Sequence, residues 1–338
     1  MNEPRSVGVL GGGSWGTALA ALLAKKGHQV RLWAREPEVV AEIQEFRENR
    51  TFLPGFLLPD NLQASSDLPG TVAGREILLS VVPSQFVSSV FQGLAPELEP
   101  GVQVVSASKG IEVATGRRMD EVLSAALTPE QAHLLTFLSG PSFAAEVSEK
   151  TPTAVVVASR SRKAALKAQE LFQTEDFRVY TNSDVLGVEL GGALKNVIAL
   201  AAGVVAGMGF GHNTLAALMT RGLAEITRLG VAMGADPATF YGLAGMGDLV
   251  LTCTGSLSRN RTVGYRIGQG ETPEEILESM NSVAEGVRTV QAVRELAKEF
   301  GVEMPISEEV HALLWEGRDA KEAVRNLMLR GPKPEVWS

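Results

Sequence analysis

The apolar positions of this chain change period once, near residue 182. Before that point short, continuous apolar runs predict strands at 5–10, 29–33, 76–82, 103–107, 133–138, 153–158 and 177–180. Helical patterns over 17–26, closed by Gly27, and over 162–172 lie between some of them. Buried strand runs alternating with helices predict a mostly parallel sheet covered on both faces. Ligands of such sheets bind beyond the carboxyl ends of the strands. Ser108-Lys109-Gly110 and Ser139-Gly140-Pro141-Ser142 stand at two such ends.

After residue 182 strand-like runs vanish and apolar residues recur at helical spacing, as in Leu215, Leu218, Met219, Leu223 and Ile226. The first helix covers the apolar run 185–208, with Asn182 or Ser183 as its cap and Asp184 favourable in its first turn. Gly207 to Gly211 break it, and the next helix begins at Asn213 or Thr214. Asp236-Pro237 and the capping box Thr272-Pro273-Glu274-Glu275 open two more, and a last helix runs over about 319–329, up to Gly331-Pro332. The run 185–208 has the length of a membrane span, but it contains Glu189 and Lys195 and no second span accompanies it. It reads as a buried helix of a globular domain.

An ammonium is almost never buried without a partner or a purpose. Gly191, Gly192, Ile198 and Ala199 share the helical face of Lys195, and three of these four are small. That face leaves a hollow beside the amine in which a substrate would fit. The alternative is a lysine snorkelling past small residues to the surface.

Composition narrows the choice. A chain of 338 residues suggests two domains. A net charge of −8 argues against a nucleic-acid footprint or an anionic membrane surface, so an anionic ligand must be captured by local cations. The single cysteine, Cys253, excludes an internal disulfide, fits a reducing, cytoplasmic setting, and reads as a buried filler. The four histidines show no metal-ligand spacing, so no metal is expected. The N-terminus carries no signal-peptide pattern.

Gly11, Gly13 and Gly16 stand in G-x-G-x-x-G register around Ser14 and Trp15, between a strand and a helix. Gly11 allows a tight turn, Gly13 lets backbone approach a pyrophosphate, and Gly16 lets helix pack on strand. The helix N-terminus then offers free N–H groups to the phosphates. The fold class is therefore α/β: a Rossmann-like, mostly parallel domain over 1–182, followed by an all-helical domain over 183–338. Arg35, at the tip of the second strand, suits the 2′-phosphate of NADP, or is a solvated arginine at a strand end. In the helical half Asp248 is flanked by glycine, and Ser258-Arg259-Asn260 can chelate a phosphate or form a polar loop with a helix cap.

The segments GGGSWGTALA, SKGIE, LSGPSFAAEV, ELGGALKNVIALAAG, GLAGMGDLVLTCTGSLSRNRTVG and VAEGVRTV occur in that order. Together they resemble the bacterial type of NAD(P)-dependent glycerol-3-phosphate dehydrogenase, over nearly the whole chain. The resemblance implies reversible reduction of dihydroxyacetone phosphate to sn-glycerol 3-phosphate for glycerophospholipid synthesis, with Lys195 as proton-transfer catalyst. It implies cofactor contacts at Ser14, Trp15, Arg35, Arg50, Lys109, Ala144, Arg259, Val283 and Glu285. It implies substrate contacts at Lys109, Gly140, Ser142, Lys195, Asp248, Ser258, Arg259 and Asn260. Asn196 is added as a further phosphate contact, and a homodimer is expected. Two other readings stay open: a β-hydroxyacid dehydrogenase on the same scaffold, which needs no phosphate clamp, and a non-catalytic NADP-sensing protein, which needs no buried lysine.

Overall fold

The structure, a computed structural model, describes residues 3–280, 284–332 and 334–335. Eight strands form one sheet: β1 (Ser6–Leu10), β2 (Gln29–Trp33), β3 (Leu62–Ser65), β4 (Ile77–Ser80), β5 (Gln103–Ser106), β6 (Thr136–Ser139), β7 (Thr153–Ala158) and β8 (Phe177–Asn182). Their spatial order is β3-β2-β1-β4-β5-β6-β7-β8. Only the β6–β7 pairing is antiparallel; the others are parallel. The first six strands follow the doubly wound order, whose direction of winding reverses between β1 and β4 and opens a crevice there. Apolar layers cover both faces, one around Leu19, Leu32 and Phe172, the other around Leu78, Phe91 and Phe137.

Three expectations about this half need correction. β3, with sequence LQAS, was not among the predicted strands; only Leu62 and Ala64 turn inward. The strand expected over 133–138 starts at Thr136, because a capping box of Thr128 and Gln131 winds Pro129–His133 into a helical turn first. The first helix, α1 (Ser14–Lys25), starts within the glycine motif, three residues before the predicted position, and gives way to Gly27 at φ +95°.

From Val185 onward the regular elements among the described residues are helices, including α2 (Val185–Gly207), α3 (His212–Ala232), α4 (Asp248–Thr254), α5 (Arg259–Gly268), α6 (Glu285–Glu299) and α7 (Pro305–Trp315). The cap of α2 is Asp184, whose carboxylate accepts the Gly187 N–H at 2.9 Å, so Asn182 and Ser183 lie outside the helix. α3 starts at His212, a residue or two before the expected position. Among the described residues α2 alone has the length and hydropathy of a membrane span, yet 94% of that window is buried inside the protein. It is the axis of the helical half. A Cβ on Gly203 would lie 2.1 Å from the Arg261 carbonyl oxygen, and one on Gly264 would lie 1.9 Å from that of Leu200. α2 and α5 therefore touch backbone to backbone, which brings the Ser258–Asn260 turn against the middle of α2.

Candidate active site

The glycine turn after β1 meets the three demands of a pyrophosphate cradle. Gly11 has φ +120°, and a Cβ there would strike the Val81 carbonyl at 2.8 Å. A Cβ on Gly16 would lie 1.9 Å from the Gly11 carbonyl oxygen, so the helix presses directly on the turn. Gly13 faces open space, leaving room for a ligand above it. As N-cap of α1 it supplies no side-chain acceptor, and the first-turn N–H groups of Ser14 and Trp15 stay available to an anion. The residues present therefore fit a dinucleotide.

Sequence reading missed what holds this turn. Asn49 is fully buried and donates through Nδ2 to the Gly12 carbonyl and to Thr17 Oγ1, both at 2.8 Å. The next residue, Arg50, is stacked 3.6 Å above the Phe46 ring and paired with Glu48. Arg35 stands exposed past β2, paired with Glu36 at 3.1 Å and 6.0 Å from the Phe86 ring centre. Both arginine side chains are exposed. The Trp15 ring packs on the apolar layer beneath α1, and its indole N–H is buried with no hydrogen-bond partner among the described residues.

Across the crevice Lys195 is 6% exposed, which removes the snorkelling alternative. The glycines on its face are closely packed. A Cβ on Gly191 would lie 2.6 Å from the Ala244 carbonyl oxygen and one on Gly192 2.7 Å from Ser139 Oγ. These two glycines admit close neighbours. What meets the amine comes from α4: Asp248 pairs with it through Oδ1, and Thr252 Oγ1 accepts from it at 2.9 Å. Thr252 in turn donates to the Asp248 carbonyl at 2.6 Å. Its position four residues after Asp248 puts both on one helical face, a spacing that could have flagged it.

Lys109, beyond the end of β5, completes the group. Its amine lies 2.7 Å from Asp248 Oδ2 and 3.3 Å from the Gly140 carbonyl, which also accepts the Ser142 hydroxyl at 3.0 Å. One carboxylate thus sits between two amines, one from each half of the chain. Burial lowers the Lys195 pKa from its usual value to about 7; Lys109 pushes it further down and Asp248 holds it up. An amine so poised can exchange a proton near neutrality. Cys253, next to Thr252, is fully buried with its thiol pushed up to about 12, an inert filler as expected.

The expected phosphate contacts divide. Ser258 Oγ caps α5 by accepting the Arg261 N–H at 3.2 Å. Asn260 donates to Asn196 Oδ1 at 3.0 Å and accepts the Gly286 N–H at 2.9 Å. Asn196 and Asn260 therefore tie α2, α5 and α6 together, while Arg259 projects from the first turn of α5 as the exposed cation of this group. Ala144 opens the short helix Ala144–Ser148 just past Ser142. Glu285, first residue of α6, accepts from the backbone N–H and hydroxyl of Ser84. Val283 lies outside the described residues.

A dinucleotide cradle at the carboxyl ends of β1 and β4, and a buried amine with a pKa near 7 tied through Asp248 to Lys109 past β5, define a nicotinamide-dependent dehydrogenase with a helical second domain. The family models for the N-terminus and the C-terminus of NAD-dependent glycerol-3-phosphate dehydrogenase match residues 6–165 and 184–325. The chain belongs to that family. A relative from Geobacter metallireducens, named glycerol-3-phosphate dehydrogenase of the NAD(P)+ type, is 59% identical over 97% of this chain and 98% of its own. One of the same name from Leptospira biflexa is 50% identical over 97% and 99%. The crystal structure of glycerol-3-phosphate dehydrogenase from Coxiella burnetii superposes with a TM-score of 0.92 at 38% identity, covering 97% of this chain and 99% of that one.

Proposed function

We propose that Lys195 is the proton-transfer residue in the reversible reduction of dihydroxyacetone phosphate to sn-glycerol 3-phosphate. The nicotinamide supplies the hydride that adds to the middle carbon. Lys195 Nζ gives a proton to the oxygen on that carbon in this direction and takes one back in the other. The single observation that carries this reading is the buried Lys195 amine, gripped by Asp248 and Thr252 and faced by Lys109 at the strand ends. Asp248 and Thr252 aim the amine. Lys109 and the Gly140–Ser142 turn receive the polar end of the triose, and Arg259, with the Ser258 hydroxyl, takes its phosphate by charge-assisted hydrogen bonds. That remote grip helps fix the reacting carbon.

In this reading the half before the 182/183 division carries the cofactor cradle and lends Lys109 and the Gly140–Ser142 turn to a substrate site whose catalytic lysine lies in the half after it. Arg35 favours NADPH over NADH. A cytoplasmic homodimer that binds neither nucleic acid nor membrane completes it, in keeping with the acidic net charge of −8. The test is spectrophotometric: NADPH absorbance should fall when protein and dihydroxyacetone phosphate are mixed. No consumption with either cofactor refutes the assignment. Arg35→Ala should weaken NADPH several-fold and leave NADH unchanged; an equal loss for both removes Arg35 from 2′-phosphate recognition.

A further inference from the structure

The crevice is closed at one corner by a contact between residues 201 positions apart. Ser84 follows β4 and is fully buried. Its backbone N–H donates to Glu285 Oε1 at 3.2 Å and its hydroxyl to Glu285 Oε2 at 2.6 Å, so both carboxylate oxygens of a helical-half residue are engaged by one serine of the sheet half. The neighbouring Gln85 donates to the Ser84 hydroxyl at 3.1 Å and to the Ile111 carbonyl at 2.7 Å, and accepts the Val113 N–H at 2.9 Å. This ties the same corner to the loop carrying Lys109. Gly110 fits against it: its φ is +147°, and a Cβ there would lie 2.4 Å from Ser84 Oγ and 3.1 Å from Glu285 Oε2.

On the far side the connection continues into α2. The Gly286 N–H donates to Asn260 Oδ1, and Asn260 donates to Asn196 Oδ1, one residue from Lys195. A Cβ on Gly286 would lie 2.6 Å from the Asn196 carbonyl oxygen, so the first turn of α6 presses directly on the lysine helix. One serine hydroxyl therefore lies where three parts of the site meet: the strand end beside the dinucleotide cradle, the Lys109 loop, and the Asn260–Asn196 tie behind Lys195.

We propose that Ser84 is a positioning residue: by clasping Glu285 it sets the register of the lysine-bearing half against the cofactor-bearing half. Glu285 then sets the register through Ser84, beside the cofactor contact that the resemblance implies for it. A hydrogen bond to a carboxylate across such a joint is strong enough for its loss to change rate about tenfold. The inference rests on the triose phosphate reading, so wild type is assayed alongside: if wild type fails to consume NADPH with dihydroxyacetone phosphate, the reading of function fails, whatever the variants do.

The experiment is a double-mutant cycle on the full chain with Ser84→Ala, Glu285→Gln and both together. It measures kcat, KM for the triose phosphate, the dissociation constant of NADPH by quenching of its fluorescence, and the melting temperature without cofactor. Ser84→Ala should lower kcat about tenfold and change NADPH affinity less than twofold, Glu285→Gln should lower kcat at least as far, and the double variant should be no slower than the slower single. Multiplicative losses overturn the proposal. So does a Ser84→Ala protein with wild-type kcat, even if it melts earlier, because the clasp is then structural only. A Ser84→Ala variant whose whole loss lies in NADPH affinity also overturns it.

Discussion

Two buried ionisable groups of the helical half have pKa values near 7 and arrive there from opposite sides. Burial brings the Lys195 amine down to about 7 and the Glu225 carboxyl up to about 7. Glu225, on α3, is 2% exposed and sits under the start of α7, where it accepts the Ile306 N–H at 2.7 Å and the Ser307 N–H and hydroxyl, each at 3.3 Å. Those donors are neutral, belong to one helix N-terminus, and satisfy the carboxylate within the helical half. Lys195 shares its carboxylate with a second amine that comes from the sheet half. Two cations on one anion leave an excess of positive charge beside the crevice, which an anionic substrate can balance. A shifted pKa is common to both places and does not mark a site by itself. Convergence from separate chain segments at strand ends, with charge left over, does.

The largest expected effect breaks the comparison at the lysine. Lys195→Met should lower kcat by roughly 10²–10⁴-fold while NADPH still binds. Glu225→Gln should leave kcat within about twofold of wild type, as a group satisfied inside the helical half requires. Comparable losses in both would erase the distinction. The wild-type pH profile sharpens it: kcat/KM for reduction needs the protonated amine, so it should be level below about pH 7 and fall above it, with the mirror image for oxidation.

Asp248→Asn comes next. It leaves two amines facing one another without their carboxylate, and breaking a buried pair in this way costs about 3–5 kcal/mol of stability, readable by denaturant titration. Because the Asp248 charge holds the Lys195 pKa up, its removal should also move the break in the reduction profile to lower pH. A move to higher pH would contradict the assigned electrostatics.

How much of this could be read from the chain differs between the two halves. The cradle was legible because its glycines answer local needs, a positive φ at Gly11 and a close approach at Gly16. Most strands were legible because four-residue runs such as Ile77–Ser80 are buried on both faces and carry no alternation. β3 was not, since its exposed Gln63 and short Ala64 give too little contrast. Lys195 announced itself as a charge in an apolar helix, but two of its small neighbours serve close packing: Gly191 and Gly192 admit the Ala244 backbone and Ser139. Whether a missing side chain makes room for a ligand or for another part of the chain depends on what packs there, and that is long-range information. The Ser84–Glu285 and Asn49–Gly12 contacts are long-range as well, 201 and 37 positions apart, and no local pattern carries them.

The smallest effect tests the Glu225 side of the comparison. A carboxyl whose folded pKa is about 7, against an ordinary 4.5, binds its proton more tightly in the folded chain. Its contribution to stability is therefore fully present below about pH 4.5 and is lost as pH rises through about 7, with ionisation of the buried group opposed throughout by burial. Glu225→Gln cannot ionise, and its amide oxygen can still accept from Ile306. Wild type should therefore lose roughly 2 kcal/mol relative to the glutamine variant between pH 5 and pH 8, measured as the difference in unfolding free energy at each pH. If the two proteins keep a constant difference across that range, Glu225 is already ionised at pH 5. The N–H groups that start α7 would then outweigh burial, and the symmetry between the two groups would be lost.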